Sequence, residues 1–228
     1  MPSFSDQILY APPKPNELEI SLFGPGIGES IVVHIGNNEW IIVDSCTDAF
    51  TKEPTPLTYL GRLGIDPSKS VKLFVISHWH SDHIRGASQI AEQCVAATVC
   101  FSEALVKEEF FTLVDTYSGL VQPVLVDKNT SATNEISSII KIISKRCKKN
   151  NDTNSLYYTL AAADKRIYQN AQDGILKEVW ALSPSSESII NSLTEIANLI
   201  PIPDQDLIRE VIPRPTKNHN AVVLLVSA

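Results

Sequence analysis

The sequence lacks long hydrophobic runs, an excess of basic residues and closely spaced cysteine pairs. No stretch approaches the ~18 apolar residues of a membrane-spanning helix, and the first six residues have neither the basic nor the apolar segment of a secretory signal. The net charge of −7 excludes a general basic surface that would attract nucleic acid without sequence preference. We therefore expect a cytoplasmic protein that does not associate with membranes.

The four cysteines are scattered, and none belongs to a Cys-x-x-Cys pair. This spacing argues against the common cysteine-based zinc and redox motifs and predicts reduced thiols in the protein interior. Cys46 lies two residues after Asp44, and two interpretations of it stay open. It is either a residue at the rim of a site or in its ligand set, or a plain buried thiol.

Apolar residues make up 43% of the 228 residues, which suits the core of one large domain. A proline-rich N-terminal arm is predicted over residues 1–16, and the domain itself over residues 17–228. Periodicity and turn residues predict strands and helices in mixed order, and so a mixed α and β fold. The predicted strands are 17–23, 71–77, 96–101, 121–126, 156–163 and 221–226, and the predicted helices are 56–63, 84–94, 103–117, 129–149 and 185–198.

The long predicted helix 129–149 ends in a cluster of basic residues (Lys141, Lys145, Arg146, Lys148 and Lys149). The cluster is either a phosphate-binding patch or a solvated helix end whose cations complement the helix dipole.

The chain has only five histidines, yet three of them stand with an aspartate in the six residues 78–83, directly after the apolar run 71–77. Four ligand-type side chains are costly to pack together unless a cation neutralises them. Imidazole and carboxylate ligands suit zinc or a similar borderline metal. An exposed polar loop or a single structural zinc are the alternatives, but structural zinc sites favour cysteine, which this loop lacks.

The spacing within the loop suggests two metal positions. His78 and His80 are two residues apart, so in an extended segment they point the same way and can hold one ion. Asp82 and His83 follow where the chain turns into a helix, and they can hold a second ion nearby. Two metals that share a bridging hydroxide can clamp a substrate oxygen.

The His-x-His-x-Asp-His pattern resembles the signature of the metallo-β-lactamase superfamily. Further segments are similar to parts of that fold. Residues 28–36 resemble an early strand, Asn37-Asn38 resemble the hairpin turn after it, and residues 39–45 resemble the next strand, which ends in an aspartate. Residues 179–184 resemble a later core strand. Residues 218–225 are similar to the asparagine and apolar strand of one branch, typified by the hydrolase domain of competence (DNA-uptake) channels.

The resemblance implies an α+β fold, an αββα sandwich of the metallo-β-lactamase type that lacks its last strands and helix. The family's bridging aspartate and late histidine have no counterpart here, and residues 17–228 look like the N-terminal two-thirds of the domain. A fragment, a split gene and a degenerate relative stay open as explanations. His219 is either a third ligand or a surface turn residue.

The resemblance further implies a metal-dependent hydrolase that attacks with a metal-bound hydroxide. Its ligands would be His78, His80, Asp82 and His83, with Asp82 also orienting the hydroxide. Asp44 would support the loop or cap the turn after its strand. Two Zn²⁺ ions are expected, with Mn²⁺ or Fe as alternatives.

The substrate is expected to be a phosphodiester, which means a nuclease or phosphodiesterase with nucleic acid as a candidate partner, although thiolester and lactone hydrolases share the motif. Trp79 would either stack on a base or anchor the loop in the core. The alternative function is a non-catalytic or split subunit that acts through a partner. A second chain or a missing C-terminal segment would then complete the site.

Overall fold

Two β-sheets lie face to face, and the helices cover the outer side of the larger sheet. The computed structural model describes residues 11–24, 28–106, 112, 128–150, 157–172, 174–198, 200 and 221–228. In chain order the elements are β1 (Leu18–Phe23), β2 (Ser30–Ile35), β3 (Trp40–Val43), α1 (Thr55–Arg62), α2 (Pro67–Ser70), β4 (Val71–Ile76), α3 (Ser81–Ile84), α4 (Ala87–Gln93), β5 (Thr98–Ser102), a 3₁₀ helix (Glu103–Val106), α5 (Lys128–Asn150), β6 (Tyr158–Ala161), β7 (Lys165–Gln172), β8 (Ile175–Ala181), α6 (Ser186–Ala197) and β9 (Leu224–Ser227).

The larger sheet has the strand order β1-β2-β3-β4-β5-β6. β1, β2 and β3 are antiparallel, and β3 to β6 are parallel, so the carboxyl ends of β3, β4 and β5 meet at one edge. The predicted hairpin turn between β2 and β3 is confirmed, because Asn37 and Asn38 both have the positive φ that such turns require. The fold is the mixed α+β arrangement that the sequence predicted.

The parallel strands are apolar along their whole length because both of their faces are buried. In β4, Phe74 and Ile76 pack against the helices, whereas Leu73 and Val75 pack against the smaller sheet. The helices supply the rest of the core on the outer face of the sheet, where Ile136, Ile139 and Ile143 of the long helix are buried and Ile140 is partly buried. None of the described helices is both long and apolar enough to cross a membrane.

The smaller sheet has the order β7-β8-β9 and is antiparallel. Its inner face packs Ile167, Val179 and Ala181 against the larger sheet. β7 was not predicted, because Ile167 is its one fully buried side chain and the strand reads as polar.

The predicted helix 84–94 is wrong in its first turn. The chain leaves the helical conformation at Arg85, and α4 begins at Ala87, after Gly86 with a φ of +79°. The hydroxyl of Ser45 donates to the carbonyl of Arg85, and Ser45 forms a parallel bridge with Ile84, so the segment is held extended. The Glu135 carboxylate accepts from the backbone N–H groups of Gly86 and Ser88, which caps the new helix.

Several other predictions are only partly tested. Residues 103–106 of the predicted helix 103–117 form the 3₁₀ helix, and the predicted extended segment 121–126 lies outside the described residues. The predicted strands 156–163 and 221–226 are observed in shorter or shifted form as β6 and β9.

A buried ion pair joins the two sheets at the β2–β3 turn. The Lys177 ammonium lies 2.9 Å from a carboxylate oxygen of Glu39 and donates to the carbonyl of Gly36. Asn170 and Tyr168 also donate to the Glu39 carboxylate. Because both charges are almost fully buried, each depends on the other for compensation.

We expect Lys177→Met to lower the free energy of unfolding by about 3–5 kcal/mol, because Glu39 would remain buried without its cation. Replacing both members, as Glu39→Gln with Lys177→Met, should recover much of that loss. The surface pair of Arg166 and Glu178 provides the control, and Arg166→Ala should cost about 1 kcal/mol or less. Urea unfolding followed by circular dichroism measures all three, and equal losses for Lys177→Met and Arg166→Ala would contradict the expectation.

Candidate metal centre

The predicted metal loop lies at the carboxyl edge of the parallel strands. β4 ends at Ile76, and residues 77–83 form the loop and the short helix α3. The neighbouring strand β3 ends at Val43, and Asp44 follows it, with its N–H donating to the carbonyl of Val75 at 2.8 Å. The sheet therefore brings Asp44 and the loop together, although more than thirty residues separate them in the sequence.

Asp44 is the buried centre of a hydrogen-bond network. One carboxylate oxygen accepts the N–H of Ser77 at 2.7 Å. The other accepts the hydroxyl of Ser77 at 2.5 Å and lies 3.0 Å from Nδ1 of His83. Asp44 adopts a φ of +58°, a left-handed conformation that aspartate and asparagine tolerate better than most residues. This bend after β3 allows the carboxylate to reach both residues.

The network also orients His78. Its Nδ1 lies 2.8 Å from the hydroxyl of Ser77, whose single proton is donated to Asp44. Nδ1 of His78 is therefore the protonated nitrogen, donating to Ser77, and Nε2 has its lone pair available. In the same way, Nδ1–H of His83 donates to Asp44, so His83 also presents Nε2. No role for Ser77 was predicted from the sequence, where its only signal was its place next to His78.

The three histidine rings of the loop lie together. The ring centroid of His78 is 4.7 Å from that of His80 and 4.1 Å from that of His83. Ligand atoms of Asp44, His78 and His83 all lie within 4.8 Å of one another. Asp82 is half-buried in the first turn of α3, and its charge acts on both His78 and His83. Of the four predicted ligands, the structure thus groups His78 and His83 with Asp44, whereas neither His80 nor Asp82 belongs to that group of ligand atoms.

Burial decides the protonation of His78. Desolvation, with smaller contributions from the neighbouring imidazoles of His83 and His80, lowers the pKa of His78 to about 3. Burial also acts to lower the pKa of His83, but the hydrogen bond and charge of Asp44 outweigh it, and the net shift is upward. Burial raises the pKa of Asp44, opposed by the hydrogen bonds from His83 and Ser77. His78 is therefore a neutral imidazole at neutral pH, the form that binds metals.

The residues fit a metal ion. Nε2 of His78 is buried and has no hydrogen-bond partner among the described residues, which is a costly state for a polar atom. A cation at this nitrogen would remove that cost. Neutral imidazoles with carboxylates are a ligand set that zinc and similar divalent ions accept.

The structure also decides between the alternatives that the sequence left open for Trp79 and Cys46. Trp79 is buried in the helix-side core, so the prediction that it anchors the loop is confirmed. Cys46 is buried, and the pKa of its thiol is raised by burial, which agrees with the plain buried thiol. His219 lies outside the described residues.

The loop is packed tightly against the turn before β2. A Cβ atom at Gly28 would lie 2.8 Å from the backbone oxygen of Asp82 and 3.3 Å from Cβ of Cys46. Gly28 also has a φ of +100°, so both space and backbone conformation require glycine here. The backbone N–H of Ser45 donates to the carbonyl of His83 at 2.7 Å and fixes α3 from the other side.

We expect Asp44→Asn to weaken zinc binding by about 10- to 100-fold, because the amide nitrogen cannot accept the protons of His83 and Ser77. Asparagine tolerates the left-handed φ, so the fold should persist. The matched control is Asp164→Asn, an exposed aspartate with a φ of +62°. Competition with a fluorescent zinc chelator measures the affinity. Equal affinities of the Asp44→Asn variant and the unmodified protein would contradict the orienting role.

The comparisons with known proteins identify the family of the chain. The sequence model of the metallo-beta-lactamase superfamily matches residues 23–149, more than half of the chain and all of the candidate centre. Among solved structures, the chain is similar to the metallo-beta-lactamase SMB-1 bound to 2-mercaptoethanesulfonate, with 16% identity, a TM-score of 0.38, and coverage of 78% of this chain and 70% of that one. No curated protein matches the sequence. The match of the family model shows that the chain belongs to the metallo-beta-lactamase superfamily.

Proposed function

We propose that the protein is a metal-dependent hydrolase whose centre is built on the loop of residues 78–83. The observation that carries this proposal is the buried, unpartnered Nε2 of His78, set beside the rings of His80 and His83. Members of the superfamily are generally metal-dependent hydrolases, which supports the reaction class.

His78 and His80 would hold one ion, and Asp82 and His83 a second, with Asp44 and Ser77 keeping both Nε2 atoms turned to the centre. When bound, a divalent ion supplies Lewis acidity and lets water act as a nucleophile near neutral pH. Asp82 is the residue that would accept a hydrogen bond from the attacking water and orient it. We propose zinc as the metal because of the imidazole ligands, with Mn²⁺ or Fe as alternatives.

We propose phosphodiester bonds as the substrate class. The resemblance of residues 218–225 to the DNA-uptake branch supports this choice. Arg85 is exposed and follows His83 by two residues, and it is the cation that we propose would contact an anionic substrate. The basic cluster at the end of α5 adds no support, because the guanidinium of Arg146 donates to carbonyls at the end of α4.

A second candidate is a non-catalytic or split subunit that acts through a partner. An exposed aliphatic face on β1 favours it, since such faces often mark interaction sites. We propose a cytoplasmic location for either function, supported by four cysteines that are all unpaired.

We expect the purified protein to hydrolyse bis(p-nitrophenyl) phosphate after loading with Zn²⁺, and to lose this activity on dialysis against a chelator. His80→Ala and Asp82→Ala should each lower kcat/KM by at least about 100-fold, because one removes a ligand and the other the group that orients water. Asp66→Ala is the matched control, since Asp66 caps α2 and is exposed.

Elemental mass spectrometry on the same samples gives the metal content per chain. About two ions per chain together with zinc-dependent hydrolysis would support the hydrolase. Protein that binds no zinc and shows no activity after loading would contradict the hydrolase and favour the subunit. Activity that the His80→Ala and Asp82→Ala variants retain would also contradict the hydrolase.

A further inference from the structure

Glu29 is an exposed acidic residue immediately before β2, at the edge of the larger sheet that carries the metal loop. No hydrogen bond joins its carboxylate to another of the described residues. The sequence predicts residue 29 only as part of a strand, because a single glutamate outside the histidine loop belongs to no metal-binding pattern. The structure brings it next to that loop.

Contacts of the two flanking residues fix the position of Glu29. On one side, a Cβ atom at Gly28 would lie 2.8 Å from the backbone oxygen of Asp82. On the other side, the hydroxyl of Ser30 donates to the carbonyl of Asp44 at 3.0 Å. Since consecutive Cα atoms are about 3.8 Å apart, the Cα of Glu29 lies within roughly 8 Å of the Asp82 oxygen. The metal centre is therefore within reach of a side chain as long as that of glutamate.

The charge of Glu29 acts on one particular histidine of the loop. Burial acts to lower the pKa of His83, and three carboxylates act to raise it, those of Asp44, Asp82 and Glu29. In His78, whose pKa burial lowers, the opposing carboxylate among the described residues is that of Asp82. Because the interaction between charges falls with distance, Glu29 lies on the His83 side of the centre.

The other two carboxylates that act on His83 already have a task. Asp44 accepts hydrogen bonds from Ser77 and His83, which uses both of its oxygens. Asp82 is itself a proposed ligand of the second ion. Glu29 is the carboxylate on this side of the centre whose oxygens are not engaged with any described residue.

The second ion of the proposed pair is one ligand short. Asp82 and His83 would hold it, whereas a zinc ion in a catalytic site takes three protein ligands and leaves the fourth position to water. An independent observation indicates that the centre receives a cation, since Nε2 of His78 is buried without a partner among the described residues. A further carboxylate would supply the missing ligand and offset part of the charge of two divalent ions.

We propose that Glu29 is the third protein ligand of the second ion, together with Asp82 and His83. The inference rests on the proposed metal-dependent function, because it requires two metal ions in the centre. It adds the start of β2 to the elements that supply ligands, which otherwise all follow β4.

An exposed glutamate can also attract divalent ions at a distance without binding them, and ionic strength separates the two roles. In 1 M salt the screening length is about 3 Å, so an attraction between an exposed charge and a distant ion is largely lost. A direct bond between a carboxylate oxygen and the ion persists under the same conditions.

The test compares zinc binding by the unmodified full chain and by its Glu29→Gln variant. The substitution removes the negative charge and keeps the size of the side chain, and the fold should persist because residue 29 is exposed. Glu92→Gln is the matched control, since Glu92 is an exposed glutamate in the last turn of α4. Competition with a fluorescent zinc chelator gives the stepwise affinities, and elemental mass spectrometry gives the number of ions per chain.

We expect Glu29→Gln to weaken binding of the second zinc ion at least about tenfold and to leave the first ion bound as before, because only the second loses a ligand. The loss should be the same in 0.1 M and in 1 M sodium nitrate. Glu92→Gln should change neither affinity. Glu29→Asp, which keeps the carboxylate on a shorter side chain, should fall between Glu29→Gln and the unmodified protein. Circular dichroism checks the fold of each variant.

Two results would overturn the role of Glu29 and leave the proposed hydrolase intact. One is equal affinity of the Glu29→Gln variant and the unmodified protein for the second ion. The other is a loss of affinity at 0.1 M salt that disappears in 1 M salt, which would make Glu29 a distant charge only.

A third result would overturn the pair of metals and the role of Glu29 with it, namely an unmodified protein that binds one zinc ion or none. Zinc-dependent hydrolysis by the same samples then decides whether the proposed function fails as well.

Discussion

The buried carboxylate of Asp44 is the constraint on which the rest of the site depends. It joins the end of β3 to the loop after β4 and accepts protons from Ser77 and His83. Through Ser77 it also sets which nitrogen of His78 is free. A buried carboxylate is costly unless its hydrogen-bond donors are all in place. Asp44 therefore holds the strand ends and the imidazoles in one geometry.

The same sheet edge explains why the metal loop can be short. Parallel strands deliver their carboxyl ends side by side, and the apolar strands β3 and β4 are held by cores on both faces. Ser45 and Gly28 then fix α3 from two directions, by a hydrogen bond to His83 and by close backbone approach to Asp82. A rigid support of this kind lets a few residues position several ligands without further secondary structure.

The two faces of the larger sheet differ in how completely they are covered. The helices close one face, whereas the described part of the smaller sheet leaves Leu18, Ile20 and Leu22 of β1 exposed on the other. The buried pair of Lys177 and Glu39 locks the sheets together close to that uncovered side. The two sheets are therefore held together beside the part of the larger sheet that is least covered among the described residues.

The sequence by itself determined the strands with strong hydrophobic patterns, the long helix and the loop that gathers the histidines, because these signals are local. It missed β7, where Ile167 alone is fully buried, and the break at Gly86, which Glu135 and Ser45 impose from distant positions. Only the tertiary structure decided that Asp44 and Ser77 orient His78 and His83 and that Nε2 of His78 is left without a partner. These contacts join residues far apart in the chain, and sequence periodicity carries no information about the distance between them.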